Sequence, residues 1–119
     1  MLDDDERVAV RLRHMAEAIV AIERVTQGKT PEAYSGDPDT MAAVEQYIDR
    51  LSETSRHLPE SLKERYAAVN WRGVADMGNV LCHTYDAVLK TMIWEVVVSD
   101  LPKLKAAVEN MRKTSKKRE

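Results

Sequence analysis

The residues of this chain that could do chemistry lie in one stretch of its second half. Asp76, Asn79 and His83 are spaced i, i+3, i+7 and would share one face of a helix, with Asp86 three residues further on. Tyr85 falls on an adjoining face. A histidine near a tyrosine and an amide could perform acid/base work on a phosphodiester. The same spacing is equally typical of an ordinary polar helix face, so spacing alone assigns no role to His83.

The same stretch gives little support for a metal site. Asp76, His83 and Asp86 could gather an ion, but they match no known ligand spacing such as H-E-x-x-H. The one cysteine, Cys82, cannot form an internal disulfide or a cysteine-rich metal site. We therefore expect no metal and no cofactor, and a lone thiol is consistent with a reducing cytoplasm.

The size and composition of the chain indicate one globular domain. It has 119 residues, of which 44% are hydrophobic and 32% charged. A formal net charge of -2 is no global signature of nucleic-acid binding, so any RNA contact would need a local patch. No apolar run approaches the roughly 20 residues of a membrane span, and the acidic N-terminus is unlike a secretory signal. We expect a cytoplasmic chain that does not associate with membranes.

Helical periodicity and capping signals predict helices at about 5–27, 37–58, 60–67, 71–89, 91–98 and 100–111. The first has a clear apolar stripe, made by Val8, Leu12, Met15, Ile19 and Ile22. Residues 29–36 are predicted to be a loop because they contain Pro31 and Gly36. The β-branched run at 91–98 would suit a strand, but no second strand candidate could pair with it. Together these elements predict an all-α protein, folded as an antiparallel bundle of four to five helices.

The last residues of the chain form a basic segment. We assign residues 1–111 to a single helical-bundle domain and 112–119 to a basic, flexible C-terminal tail. The tail could be a solvated end, an arm that contacts phosphates, or a partner for the acidic run at residues 3–6.

The motif-bearing stretch resembles a known family. From Val69 to Tyr85 the chain reads VNWRGVADMGNVLCHTY, which is similar to the signature of HepT-like proteins of the HEPN superfamily. That family typically has Pro-Trp-Arg, a short helical stretch, Met-Arg-Asn, three residues, His, one residue and Tyr. The similarity extends in order over nearly the whole chain, through residues 30–34, Glu53, Trp94 and 100–104. Glu53 falls at the acidic position of the family's Gly-Glu-Ala motif.

The chain departs from the family pattern at three positions. The family's arginine precedes the histidine by five residues, and Gly78 stands there; Arg72 is too far upstream to be the same residue. Ser52 replaces the glycine before Glu53, and Leu89 stands where an aspartate is common.

The resemblance implies a ribonuclease toxin of a type VII-like toxin–antitoxin system. Two protomers would bring their motifs into one cleft and cleave RNA, for instance tRNA, without metal: the ribose 2′-hydroxyl attacks the adjacent phosphate. In that picture His83 is the acid/base and Asn79 orients the phosphate or the helix pair. A minimal nucleotidyltransferase antitoxin would neutralise the toxin by adding AMP to Tyr85. Supporting roles would fall to Glu53, Asp76 and Arg72.

Gly78 puts the activity in question. An arginine at a phosphoryl transition state can contribute about 10³ to 10⁵ in rate, and glycine in mid-helix costs about 1 kcal/mol relative to alanine. Gly78 therefore predicts a lost functional residue and a lost or attenuated activity, unless another cation such as Arg72 or the partner's Lys90 fills the gap. The alternative function is a non-catalytic HEPN helper or substrate-binding subunit of a nucleotidyltransferase. A third possible function is that of a plain helical interaction module.

Overall fold

The regular secondary structure is helical throughout the described part of the chain. The structure, a computed structural model, describes residues 3–83 and 86–117, with side chains for residues 3–81 and 88–114. The α-helices are α1 (Asp4–Thr26), α2 (Pro31–Ser35), α3 (Pro38–Arg56), α4 (Glu60–Lys63), α5 (Trp71–His83), α6 (Asp86–Glu95) and α7 (Leu101–Lys117). A 3-10 turn, Glu64–Tyr66, follows α4, and a π-helical segment, Val96–Asp100, joins α6 to α7. The all-α prediction is confirmed.

The first helix forms where its apolar stripe predicts it. Leu12, Met15 and Ile22 are fully buried, and Val8 packs against the same core. Asp3 caps the helix, since its side chain accepts a hydrogen bond of 2.8 Å from the backbone N–H of Glu6. Gly28 follows the helix with φ of +73°, a left-handed conformation that glycine adopts without strain.

The predicted loop at 29–36 contains a short helix instead. Thr30 caps α2 by accepting from the N–H of Ala33 at 3.1 Å, and Pro31 occupies the first helical position. Pro31 and Gly36, interpreted as loop signals, are start and stop signals here, since proline suits a first turn and glycine a helix end. The predicted start of α3 is confirmed: Asp37 accepts from the N–H of Thr40 at 3.2 Å.

The β-branched run forms helix, as predicted. α6 ends at Glu95, and the chain continues through the π-helical segment directly into α7. Pro102 lies at the second position of α7 and has no N–H to donate to a preceding turn. The π-helical segment thus lies just before a position that cannot complete the α-helical hydrogen-bond pattern. α7 extends to Lys117, so residues 112–117 are helical; the flexible tail stays a prediction.

The long helices pack in a defined order around one core. α1 contacts α3 on one side and α7 on the other, and α3 contacts α5. α2 contacts α3 and α6, where the ring of the buried Tyr34 lies 5.3 Å from that of Trp94. Burial, together with the nearby Glu45 carboxylate, raises the pKa of Tyr34 to about 12. None of the described helices is long and apolar enough to cross a bilayer.

Candidate functional site

One face of α5 carries an exposed row of polar side chains. Arg72, Asp76 and Asn79 are exposed, at spacings of four and three residues, so they form one strip along the helix. The apolar positions Val74 and Met77 pack against the core on another face. The strip (Arg72, Asp76 and Asn79) brings three predicted site residues together on one accessible surface.

Three predicted positions lie at or beyond the end of the described part of α5. The backbone of His83 ends the helix, four residues after Asn79, and its side chain lies outside the described residues. Tyr85 lies outside them altogether, and so does the side chain of Asp86. The roles of His83 and Tyr85 therefore stay predictions. Within the described residues, no three His, Cys, Asp or Glu side chains are grouped to hold a metal ion.

Two of the three positions where the chain departs from the family pattern, Ser52 and Gly78, lie at the contact between α3 and α5. The buried Ser52 hydroxyl donates a hydrogen bond of 2.8 Å to the carbonyl oxygen of Ala75. The same oxygen atom of Ser52 accepts one of 3.2 Å from the N–H of Gly78. The Ser52 hydroxyl thus has hydrogen-bond partners on the backbone of α5 both as a donor and as an acceptor. This explains how a hydroxyl is tolerated in the buried interface.

Arg56 is the residue at this interface that sequence reasoning missed. Its Nε and Nη2 both donate to the carbonyl oxygen of Ala75, at 3.1 and 2.5 Å, and its side chain is still 42% exposed. The available signal was spacing: Arg56 lies one helical turn after Ser52, so the two share a face of α3. It was overlooked because nothing in the sequence says that this face meets α5.

Glu53 lies beside Arg56 and outside the strip. Its carboxylate oxygens lie 3.3 Å from Nη1 of Arg56 and 3.3 Å from Nε2 of His57. All three side chains are largely exposed, so these pairs contribute little to the free energy of unfolding. What the Glu53 carboxylate does is orient the Arg56 guanidinium.

Gly78 has a local use that the sequence did not predict. A Cβ atom at this position would lie 3.2 Å from Oδ1 of Asp49, 3.5 Å from Oγ of Ser52 and 3.7 Å from Nη2 of Arg56. The missing side chain therefore leaves room for three polar side chains of α3 to approach α5. Gly78 faces α3 of its own chain, not open solvent.

We expect Gly78→Ala to raise the free energy of unfolding by up to about 1 kcal/mol, the difference in helix propensity. Asp49 is exposed, so its carboxylate can move by the few tenths of an ångström that the new Cβ requires. Gly73→Ala is the matched control, and its free energy of unfolding should rise by less. Its Cβ would lie 2.7 Å from Nδ2 of Asn70, whose Oδ1 accepts from the N–H of Gly73. Urea unfolding measures both, and a Gly78→Ala protein less stable than the parent would contradict the expectation.

A cavity beside α5 is separate from the strip. It has a volume of about 190 Å³ and lies beside the first turns of the helix, between Gly73 and Met77 of α5 and Leu101 of α7. None of the three strip residues lines it. It has no evident part in the chemistry considered above.

Comparison with known proteins identifies the family. The model of the family described as "HepT-like: Ribonuclease HepT-like" matches residues 15–111. A protein of Thermococcus cleftensis named "Probable ribonuclease HepT" is 33% identical over 102 residues, which cover 86% of this chain and 93% of that protein. A Caldanaerobacter subterraneus protein named "Putative RNase" is 30% identical over 95 residues, covering 80% of this chain and 84% of the relative.

A third relative is longer than this chain. The Methanocaldococcus jannaschii protein named "Gamma-glutamylcyclotransferase and putative RNase" is 33% identical over 101 residues, and the match spans 85% of this chain but 46% of the relative. No solved structure matches the chain. The helical fold, the family match over most of the chain and these relatives agree. The chain belongs to the HepT-like ribonuclease family of HEPN proteins.

Proposed function

We propose that this protein is an endoribonuclease that cleaves RNA without a metal ion, as the toxin of a toxin–antitoxin pair. The observation that carries the proposal is the exposed strip on α5, which lies directly before His83 in a chain whose relatives are named ribonucleases. Arg72 and Asn79 offer hydrogen-bond donors to a phosphodiester, and the carboxylate of Asp76 lies between them on the strip. The strip carries no net charge, since it has one arginine and one aspartate, so a local positive patch for RNA must include a further cation.

The proposed reaction is an internal transfer at phosphorus. The 2′-hydroxyl oxygen attacks the adjacent phosphate, and its proton passes to the imidazole of His83. The bond from phosphorus to the 5′-oxygen breaks, and that oxygen takes a proton from the imidazolium. The products are a 2′,3′-cyclic phosphate end and a free 5′-hydroxyl end. Asn79 orients the phosphate, and Arg72 and Asp76 flank it on the same strip.

Metal-free cleavage of a total tRNA pool tests the proposal. The purified protein should shorten the RNA in excess EDTA, and the new 3′ ends should resist ligation until the cyclic phosphate is removed. An RNA whose 2′-hydroxyls are methylated should stay intact under the same conditions, because the attacking group is blocked. A folded protein that leaves the tRNA pool intact would overturn the ribonuclease proposal.

The active unit of the proposal is a homodimer that pairs the strips of two protomers. Glycines in a helix can permit close approach of a second helix, but Gly78 packs against α3 and Gly73 against Asn70 of the same chain. The dimer proposal therefore rests on the exposed strip and on the pairing that the family resemblance implies.

We expect light scattering to give a dimer at micromolar concentration. Asn79→Glu should weaken it, because the change places two like charges close to the two-fold axis. Gln46→Glu, the same charge change at an exposed position of α3, is the matched control and should leave the dimer intact. A monomeric parent protein at micromolar concentration would refute the dimer.

The proposed partner is a minimal nucleotidyltransferase that acts as antitoxin. It would transfer AMP to Tyr85 in one step. The phenol oxygen attacks the α-phosphate of ATP, its proton passes to a base of the nucleotidyltransferase, and pyrophosphate leaves. AMP on a tyrosine two residues after His83 in sequence adds bulk and negative charge to the motif, and both would oppose RNA binding.

A second candidate function is a non-catalytic helper subunit of such a nucleotidyltransferase. Gly78 favours it, since an arginine is expected at that position in an active family member. A folded dimer that binds the nucleotidyltransferase and cuts no RNA would support this function over the first.

A further inference from the structure

We propose that Arg56 of α3 is the phosphate-binding cation of this site, in the space left open by Gly78. The inference deepens the proposed function, because it rests on the site handling a phosphodiester. Its first support is position: Nη2 of Arg56 lies 3.7 Å from the Cβ that a side chain at 78 would have. A guanidinium belonging to α3 thus lies where an arginine of α5 would begin.

The guanidinium is held in place by three hydrogen bonds. Nε and Nη2 donate to the carbonyl oxygen of Ala75, and Nη1 donates to Oε2 of Glu53 at 3.3 Å. A guanidinium has five N–H groups, so these bonds leave one on Nη1 and one on Nη2. Those two nitrogens form the edge that binds phosphate oxygens in a bidentate manner. Arg56 is therefore oriented before a ligand arrives and is still partly exposed.

Gly78 is a condition for this arrangement. The carbonyl oxygen of Ala75 lies on the α3-facing side of α5, one turn before Gly78, and it accepts from both Ser52 and Arg56. A long side chain at 78 would have to pass between Asp49 and Arg56, since its Cβ already lies within 4 Å of both. The position of the Arg56 guanidinium therefore depends on the absence of a side chain at Gly78.

His83 follows Gly78 on the same helix. It lies five residues further on, which is about 7.5 Å along the helix axis and about 140° around it. An RNA strand that contacts both Arg56 and His83 would therefore approach α5 from two different sides. Glu53 then acts as a positioning residue, since it orients Arg56 without contacting RNA.

The binding test uses an RNA that cannot be cleaved. A fluorescent 2′-O-methyl RNA 12-mer of mixed sequence is titrated with the parent protein, Arg56→Gln and Arg50→Gln, by anisotropy at several salt concentrations. Arg50 is the matched control, an exposed arginine of α3 whose guanidinium lies 5.5 Å from the Tyr47 ring. Arg56→Gln should weaken binding about tenfold or more and lower the salt slope by about 0.7, as for one lost phosphate contact. Arg50→Gln should do neither.

A rescue separates phosphate binding from a merely structural role. Gly78→Arg should add little in the parent protein, because the new side chain displaces the Arg56 guanidinium and one cation replaces another. In Arg56→Gln it should restore the affinity and the salt slope, because it returns a cation to the same space from the other helix. Circular dichroism checks that all four proteins fold. If Arg56→Gln loses affinity with an unchanged salt slope, and Gly78→Arg does not rescue it, Arg56 is structural and the inference is overturned.

The outcomes also distinguish this inference from the proposed function. If the parent protein cuts no tRNA but binds the 12-mer through Arg56, the ribonuclease proposal fails and the phosphate site stands. If the parent cuts tRNA and Arg56→Gln binds and cuts equally well, the phosphate site is wrong and the ribonuclease proposal stands. A parent protein that binds no RNA at all would overturn both.

Discussion

Replacement of His83 by alanine should lower the rate of RNA cleavage about 10² to 10⁴-fold, the usual contribution of a positioned acid/base group. The physical reason is that the 2′-hydroxyl is a weak nucleophile until its proton is accepted. His83 is the histidine that follows the strip on α5, one turn after Asn79. Binding of a non-cleavable RNA should change little, because Arg56 and the strip would still hold the phosphate. Initial rates on a defined tRNA in EDTA measure the effect.

His14→Ala is the matched control for this loss. His14 is exposed on α1, a helix that packs against α3 and α7. Its replacement should leave the cleavage rate unchanged. Equal rates for the parent and His83→Ala, with both proteins folded, would remove His83 from the mechanism and point to a contaminating nuclease or to another base.

The second large effect concerns modification: Tyr85→Phe should abolish AMP transfer by the cognate nucleotidyltransferase. Phenylalanine keeps the ring and removes the only atom that can form the phosphoester bond. Incubation with the nucleotidyltransferase and ATP, followed by peptide mass spectrometry, locates the adduct. In the parent protein the adduct should fall on Tyr85 and RNA cleavage should stop.

Tyr66→Phe is the comparison for this experiment. Tyr66 carries an accessible hydroxyl that donates to Oδ1 of Asn110 at 2.8 Å, so it offers a phenol 19 residues before Tyr85 and outside the motif. It should accept no AMP, and its replacement should not change the adduct on Tyr85. An equal adduct in Tyr85→Phe would show that another residue is the acceptor.

Much of the fold could be predicted because its causes are local. The stripe of α1 and the Asp37–Pro38 start of α3 depend on residues within one or two turns of each other, and both are confirmed. The family resemblance is also a property of spacing along the chain, and the family match over residues 15–111 confirms it. Even the error at α2 was local: Pro31 and Gly36 can mark either a loop or the two ends of a short helix, and the sequence does not separate these cases.

The candidate site depends on contacts that no local pattern contains. Ser52 meets Gly78 across 26 residues of sequence, and Arg56 meets Ala75 across 19. Which face of α3 lies against α5 is decided by how the whole core packs, because burial of the apolar stripes fixes the rotation of each helix about its axis. Sequence spacing could therefore place Asp76, Asn79 and His83 on one face of a helix. It could also identify Gly78 as the position of a missing arginine side chain. That a guanidinium from the next helix lies beside the same position is a consequence of tertiary packing.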